Sequence, residues 1–129
     1  MNKLRCYYAH TMLSYGSTIE AQDVALLEFL GFEVVNPNSQ EIEAGVQTYI
    51  LERGKENCMD FFKEIIDYCD LIAFRGMPNG EILSGVAFEV NYAQSIGRPV
   101  IELPCNVKRR SLDYLATKQI LIELGHYKV

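Results

Sequence analysis

One carboxylate in an apolar stretch is the residue of this chain best suited to do chemistry. Glu89 sits in Ser84-Gly85-Val86-Ala87-Phe88-Glu89-Val90-Asn91-Tyr92-Ala93, a run that would make a helix hydrophobic on nearly every side. A charged group there is hard to keep in water. Burial would raise its pKa, while the positive end of the helix and nearby donors would favour the ionised form. The sequence does not fix that balance, and helix geometry leaves open whether the side chain points inward or out into solvent. Gly85, lacking a Cβ, would let a ligand come close to the helix start. Ser84 beside it serves either as a cap or as a donor to a sugar or phosphate oxygen.

The other groups with chemical potential gather near two chain segments. Tyr7, Tyr8 and His10 end a short apolar run, and side chains alternate along a strand, so only one of the two tyrosines can easily face Glu89. A phenol could orient a carboxylate there, and His10 is either loop filler or a contact to a sugar hydroxyl or phosphate. Arg75 follows a second apolar run and is the best-placed cation. Asp60, Glu64, Asp67 and Asp70 fall on or just after one helical segment, where most read as a solvated face, and Asp70 as a turn cap. Lys108-Arg109-Arg110 is short enough to be ordinary surface.

The elements that must position these groups follow from the pattern. Leu4 to Ala9 reads as a strand. Ser17 with Glu20 three residues on is a capping-box signature, and Ile19, Val24, Ala25, Leu27 and Leu30 mark a helix that stops at Gly31. Phe32 to Val35 is a β-branched strand ended by Asn36-Pro37-Asn38. Ser39 to Cys69 is mostly helical and broken near Gly54, which gives two helices. Leu71 to Phe74 is apolar throughout, as a parallel strand covered on both faces should be. Ser84 to Ile96 is a helix, Pro99 to Leu103 a strand, and Ser111 to Leu124 a last helix.

Strands alternating with helices imply a flavodoxin-like or Rossmann-like α/β domain over residues 1–129. The expected form is a three-layer sandwich with a mainly parallel sheet of four or five strands. The simplest doubly wound order is 2-1-3-4. Ligands in such sheets sit beyond the carboxyl ends of the strands where the winding reverses, between strands one and three. The segments starting at His10 and Arg75 face that point.

Composition narrows the function. At 129 residues, 14.7 kDa and 49% hydrophobic content, the chain is one ordinary domain with a sizeable core. A net charge of −5 gives no footprint for a nucleic-acid backbone, so polymer binding is not expected. Cys6, Cys58, Cys69 and Cys105 form no C-x-x-C pair, and with 2 histidines a metal centre is not expected. No secretory signal and no run near the ~20 apolar residues of a membrane span is visible, which points to a cytoplasmic chain with reduced thiols.

From Ser84 to Val100 the string S-G-V-A-F-E-V-N-Y-A-Q-S-I-G-R-P-V resembles the nucleoside 2-deoxyribosyltransferase superfamily, whose pattern there is close to S-G-T-A-x-E-x-G-Y-A-x-x-x-G-K-P-V. Tyr7-Tyr8-Ala9 looks like that family's opening Y-[LF]-[AG]. The resemblance implies that Glu89 attacks the anomeric carbon of a nucleoside to form a glycosyl-enzyme intermediate, with Tyr7 positioning it. It also implies an aspartate acid on the helix before the third strand. Asp60 is the candidate, with Glu64 or the Gly80-Glu81 loop as alternatives. Tyr8, His10, Arg75, Ser84, Gly85 and Asn91 are the candidate substrate contacts.

Members of that family borrow groups from a neighbouring subunit, which implies a homo-oligomer, dimer or higher, with Asn106 in the relevant region. This chain departs from the pattern at Val86, at Asn91 and at His10-Thr11, where the family has threonine, glycine and G-P, so its substrate contacts should differ. The expected activity is cleavage or base exchange at the N-glycosidic bond of a nucleoside or nucleotide, with no metal or organic cofactor. A nucleoside monophosphate N-glycosidase and a non-catalytic nucleotide-sensing module remain the alternatives.

Overall fold

The computed structural model describes residues 2–104 and 112–126. Four strands, β1 (Arg5–Ala9), β2 (Glu33–Val35), β3 (Leu71–Phe74) and β4 (Val100–Glu102), form one sheet in the order β2-β1-β3-β4. Every pair is parallel, with Tyr7 opposite Val35 on one side and Ile72 on the other. Five α-helices among the described residues complete the three-layer α/β arrangement: α1 (Thr18–Phe29), α2 (Gln40–Arg53), α3 (Cys58–Asp67), α4 (Ser84–Ser95) and α5 (Tyr114–Glu123). The winding reverses between β1 and β3, as the alternation of elements requires. No helix among the described residues is long and apolar enough to cross a membrane.

The central strands alternate their side chains between two cores. Tyr7, Ala9 and Ile72 pack on one face with Ile66 of α3 and Val86 and Ala93 of α4. Cys6, Tyr8, Leu71 and Ala73 pack on the other with Leu27 of α1 and Leu103. Both tyrosines are wholly enclosed. Cys6, Cys58 and Cys69 are free thiols, and Cys105, Asn106 and the 108–110 basic run lie outside the described residues.

The inward face of α1 differs from the apolar stripe expected of it. Its buried residues are Glu20, Asp23 and Leu27, whereas Ile19 and Leu30 are exposed. The spacing i, i+3, i+7 is a helix face, but two of its three members are carboxylates. They are held inward by polar partners on and just after β1, so hydrophobicity alone points to the wrong side of this helix. Ser17 does cap the helix, accepting from the Glu20 amide at 3.1 Å. The Glu20 carboxylate turns instead to the Gly16 N–H, 3.1 Å away, and to His10.

The break between α2 and α3 occurs at Gly54, whose φ of 91° suits a residue with no Cβ. These two helices cross closely at Gly45, where an added Cβ would lie 2.5 Å from Cζ of Phe61. Rings of Tyr49 and Phe62 flank Phe61 at 5.7 and 5.8 Å, so it has little room to move. In an exposed helix interior Gly→Ala gains about 1 kcal/mol from propensity. Here overpacking, typically about 1–3 kcal/mol, should outweigh that gain. Gly45→Ala is therefore expected to lower the urea midpoint, and in a Phe61→Ala background the same change should become neutral or stabilising. A rise in the midpoint with Phe61 intact would contradict this packing.

Candidate active site

Helix α4 presents Val86, Glu89 and Ala93 to the sheet, which resolves the orientation that helix geometry left open: Glu89 points inward and is 7% exposed. The Tyr7 hydroxyl, reaching up from β1, donates to Glu89 Oε2 in a short buried hydrogen bond. Among the described residues no cation accompanies this pair. Burial pushes the Glu89 carboxyl up to about 7, and the Tyr7 hydrogen bond only partly opposes that rise. Burial, together with the adjacent Glu89 charge, holds the Tyr7 phenol well above its ordinary range, so it remains a donor.

Glu89 opens onto a cavity of about 320 Å³ at the carboxyl ends of the strands. Its walls come from the segment after β1 (His10, Thr11, Met12, Tyr15), from Pro37 after β2, from Met59 and Phe62 of α3, and from Leu83, Ser84 and Gly85 at the start of α4. Ser84 is the first helical residue and does not act as the cap. Leu83 holds the cap position and makes no side-chain cap bond. A Cβ built on Gly85 would meet nothing within 4 Å, so the backbone at this helix start borders open space. Glu89, Ser84 and Gly85 thus line one cavity, with Tyr7 bonded to Glu89.

Of the remaining candidates, only His10 among the described residues borders the cavity. Tyr8 occupies the opposite face of β1, where its hydroxyl donates to Asp23 Oδ2 at 2.6 Å. Arg75 turns to that same face. Its Nε donates to Asp23 Oδ2 at 2.8 Å, its guanidinium pairs with Asp23 Oδ1, and it also donates to the Pro104 carbonyl. A buried carboxylate attracts the nearest guanidinium, which takes Arg75 out of the crevice.

His10 borders the cavity, yet its side chain is fully enclosed. Nδ1 lies 3.1 Å from the Tyr8 carbonyl and Nε2 2.6 Å from Glu20 Oε2, so neither nitrogen is free for a ligand. Its ring stacks on Tyr8, with centroids 3.9 Å apart. Asn91 is two residues beyond Glu89, about 200° around the helix, and is exposed away from the cavity. Asp60 is also exposed, 3.5 Å from Lys63, whereas Met59 and Phe62 are the α3 residues that face the cavity. Glu64 pairs with Arg53 at 3.7 Å, and Glu81 lies outside the cavity lining.

Three positions carried no sequence signal of their role. Glu20 looked like a capping residue, but it collects His10, the Gly16 amide and Asn38 Nδ2, the last at 3.0 Å. Burial pushes its carboxyl up, and these donors together more than offset that, leaving it below the ordinary range. Asp23 was hidden in the helix pattern. Tyr15, on a loop, carries a ring that packs against His10 with centroids 4.9 Å apart. Among the described residues no cluster of three or more His, Cys, Asp or Glu could hold a metal ion. No protein-family model matches the chain, and no curated protein matches it.

The Glu89 environment makes a prediction about stability. With a folded pKa of about 7 against an ordinary 4.5, the folded state binds the Glu89 proton more tightly than the unfolded chain. That contribution is complete below pH 4.5 and is lost as pH rises through 7. The ionised form in the folded state therefore costs on the order of 3 kcal/mol. Glu89→Gln, which keeps an acceptor for Tyr7 without the charge, should melt close to the native protein at pH 5 and on the order of 10 °C higher at pH 8. A melting difference that stays constant from pH 5 to 8 would contradict titration of Glu89 in that range.

Proposed function

We propose that this chain cleaves or exchanges the N-glycosidic bond of a nucleoside or nucleotide, with Glu89 as the nucleophile. The observation that carries the reading is Glu89 itself, a nearly enclosed carboxylate with one phenolic donor and no cation among the described residues, and with an open face on a ligand-sized cavity. Pockets for small molecules begin at about 300 Å³, so the space suits a nucleoside.

The chemistry fits the environment. Attack of the carboxylate on the anomeric carbon converts a buried anion into a neutral ester, and so removes the charge that burial disfavours. A carboxyl titrating near 7 is ionised in about half of the molecules at neutral pH, enough to react without giving up that driving force. Tyr7 fixes one oxygen and leaves the other to approach the sugar. In this reading Phe62, Met59 and Leu83 of the cavity wall offer apolar surface to a flat base, and Ser84 and the backbone at Gly85 hold sugar oxygens. In the same reading the chain acts as a homo-oligomer, supported by the exposed apolar side chains of Leu112, Tyr114, Leu115 and Leu124 on and beside α5.

Intact-protein mass spectrometry after incubation with a panel of nucleosides, nucleotides and their slow 2-fluoro sugar analogues tests the reading. The expected result is a mass gain of one sugar, mapped to Glu89 and absent in Glu89→Gln. Absence of any sugar adduct together with absence of base release across the panel would overturn it.

A further inference from the structure

If Glu89 attacks the sugar, the departing base needs a proton, and Asp60, Glu64 and Glu81 are not in the cavity lining. The hydrogens already present in the cavity narrow the choice. The Tyr7 hydroxyl is committed to Glu89, and both His10 nitrogens face acceptors. Thr11 and Ser84 carry aliphatic hydroxyls, which are far weaker acids than a phenol. Tyr15 remains: it lines the cavity, and its hydroxyl has no hydrogen-bond partner among the described residues.

The ring of Tyr15 is held in place from several directions. It ends the 3-10 turn Met12–Ser14, with its own amide donating to the Met12 carbonyl at 3.1 Å. Thr11 caps that turn, Ser17 Oγ donates to the Ser14 carbonyl at 2.6 Å, and the next amide, from Gly16, is fixed by Glu20. His10, locked by Glu20 and stacked on Tyr8, backs the ring. A phenol presented by such a rigid turn is suited to a fixed proton transfer.

We infer that Tyr15 is the acid that protonates the leaving base. The inference rests on the glycosyl-transfer reading of Glu89. As a Glu89 oxygen bonds to the anomeric carbon, the carbon–nitrogen bond breaks and its electron pair goes to the base, which takes the Tyr15 proton. The products of this step are a glycosyl ester, a neutral base and a Tyr15 phenolate. An incoming water or second base then attacks the same carbon and gives its proton to that phenolate, while the ester electrons return to Glu89.

Electrostatics couples the two groups. Burial pushes the Tyr15 phenol up to about 12, with the charge of Glu89 as the next cause. Ester formation abolishes that charge, so Tyr15 becomes a stronger acid just as the base departs.

The test compares leaving groups in Tyr15→Phe, which keeps the ring against His10. One donor is the nucleoside that the wild type consumes fastest. The other is the 4-nitrophenyl glycoside of the same sugar, whose leaving group needs no proton. The expected result is a loss of kcat on the nucleoside of roughly 100-fold or more and a loss below about tenfold on the nitrophenyl glycoside, with the melting temperature unchanged. Equal losses on both donors would reduce Tyr15 to a positioning residue and overturn its role as the acid, as would no loss on either. A wild type that consumes neither donor would sink the glycosyl-transfer reading, and the role of Tyr15 with it.

Discussion

The structure depends on one constraint: the central strand β1 sends a tyrosine to each face of the sheet, and each buried hydroxyl needs an acceptor. A helix from each layer answers with a carboxylate at equivalent spacing. On one face α1 brings Asp23 to Tyr8, and on the other α4 brings Glu89 to Tyr7. In both helices the inward triplet is i, i+3, i+7, with a carboxylate at the middle position. The two pairs are chemically alike but electrostatically opposite.

Arg75 accounts for the difference. On the α1 side its guanidinium neutralises Asp23 and also ties the end of β3 to the Pro104 carbonyl beyond β4. On that face the buried Asp23 charge is compensated by a direct ion pair, which makes its burial tolerable. On the α4 side Glu89 has Tyr7 as its hydrogen-bond partner and no paired cation among the described residues, and a cavity lies beside it. A carboxylate so placed is strained toward neutrality, and a chemical step that removes its charge is correspondingly favoured. The enclosed His10–Glu20 pair, with Asn38 and the Gly16 amide, adds stiffness to the loop that forms the opposite wall.

The parts of this arrangement that obey strong periodic rules were legible in the sequence. An apolar β3, a Gly-terminated helix and the regular alternation of elements lead directly to the order 2-1-3-4. That order in turn locates the crevice beyond β1. Alternation along β1 also means that Tyr7 and Tyr8 cannot share a face, although it does not say which one meets Glu89. The inward carboxylates of α1 were not legible, because hydropathy assigns Glu20 and Asp23 to solvent unless their partners are known. Arg75 follows β3 toward the crevice in sequence, but Asp23 draws its side chain to the other face. Asp60 fails for a simpler reason: on α3 it is adjacent to Met59, and neighbouring helix positions do not face the same way. Tyr15 sits on a short turn with no periodicity, so only the folded loop reveals that it reaches the cavity.

Burial with no paired cation among the described residues, tempered by a phenolic hydrogen bond, sets the charge of Glu89. Infrared difference spectroscopy with carbon-13-labelled glutamate, using Glu89→Gln to identify the band, reads that charge directly as pH is varied. The expected midpoint is near 7 in the native protein and higher in Tyr7→Phe, where the hydrogen bond is lost and the burial remains. A midpoint near the ordinary 4.5 in both proteins would contradict it.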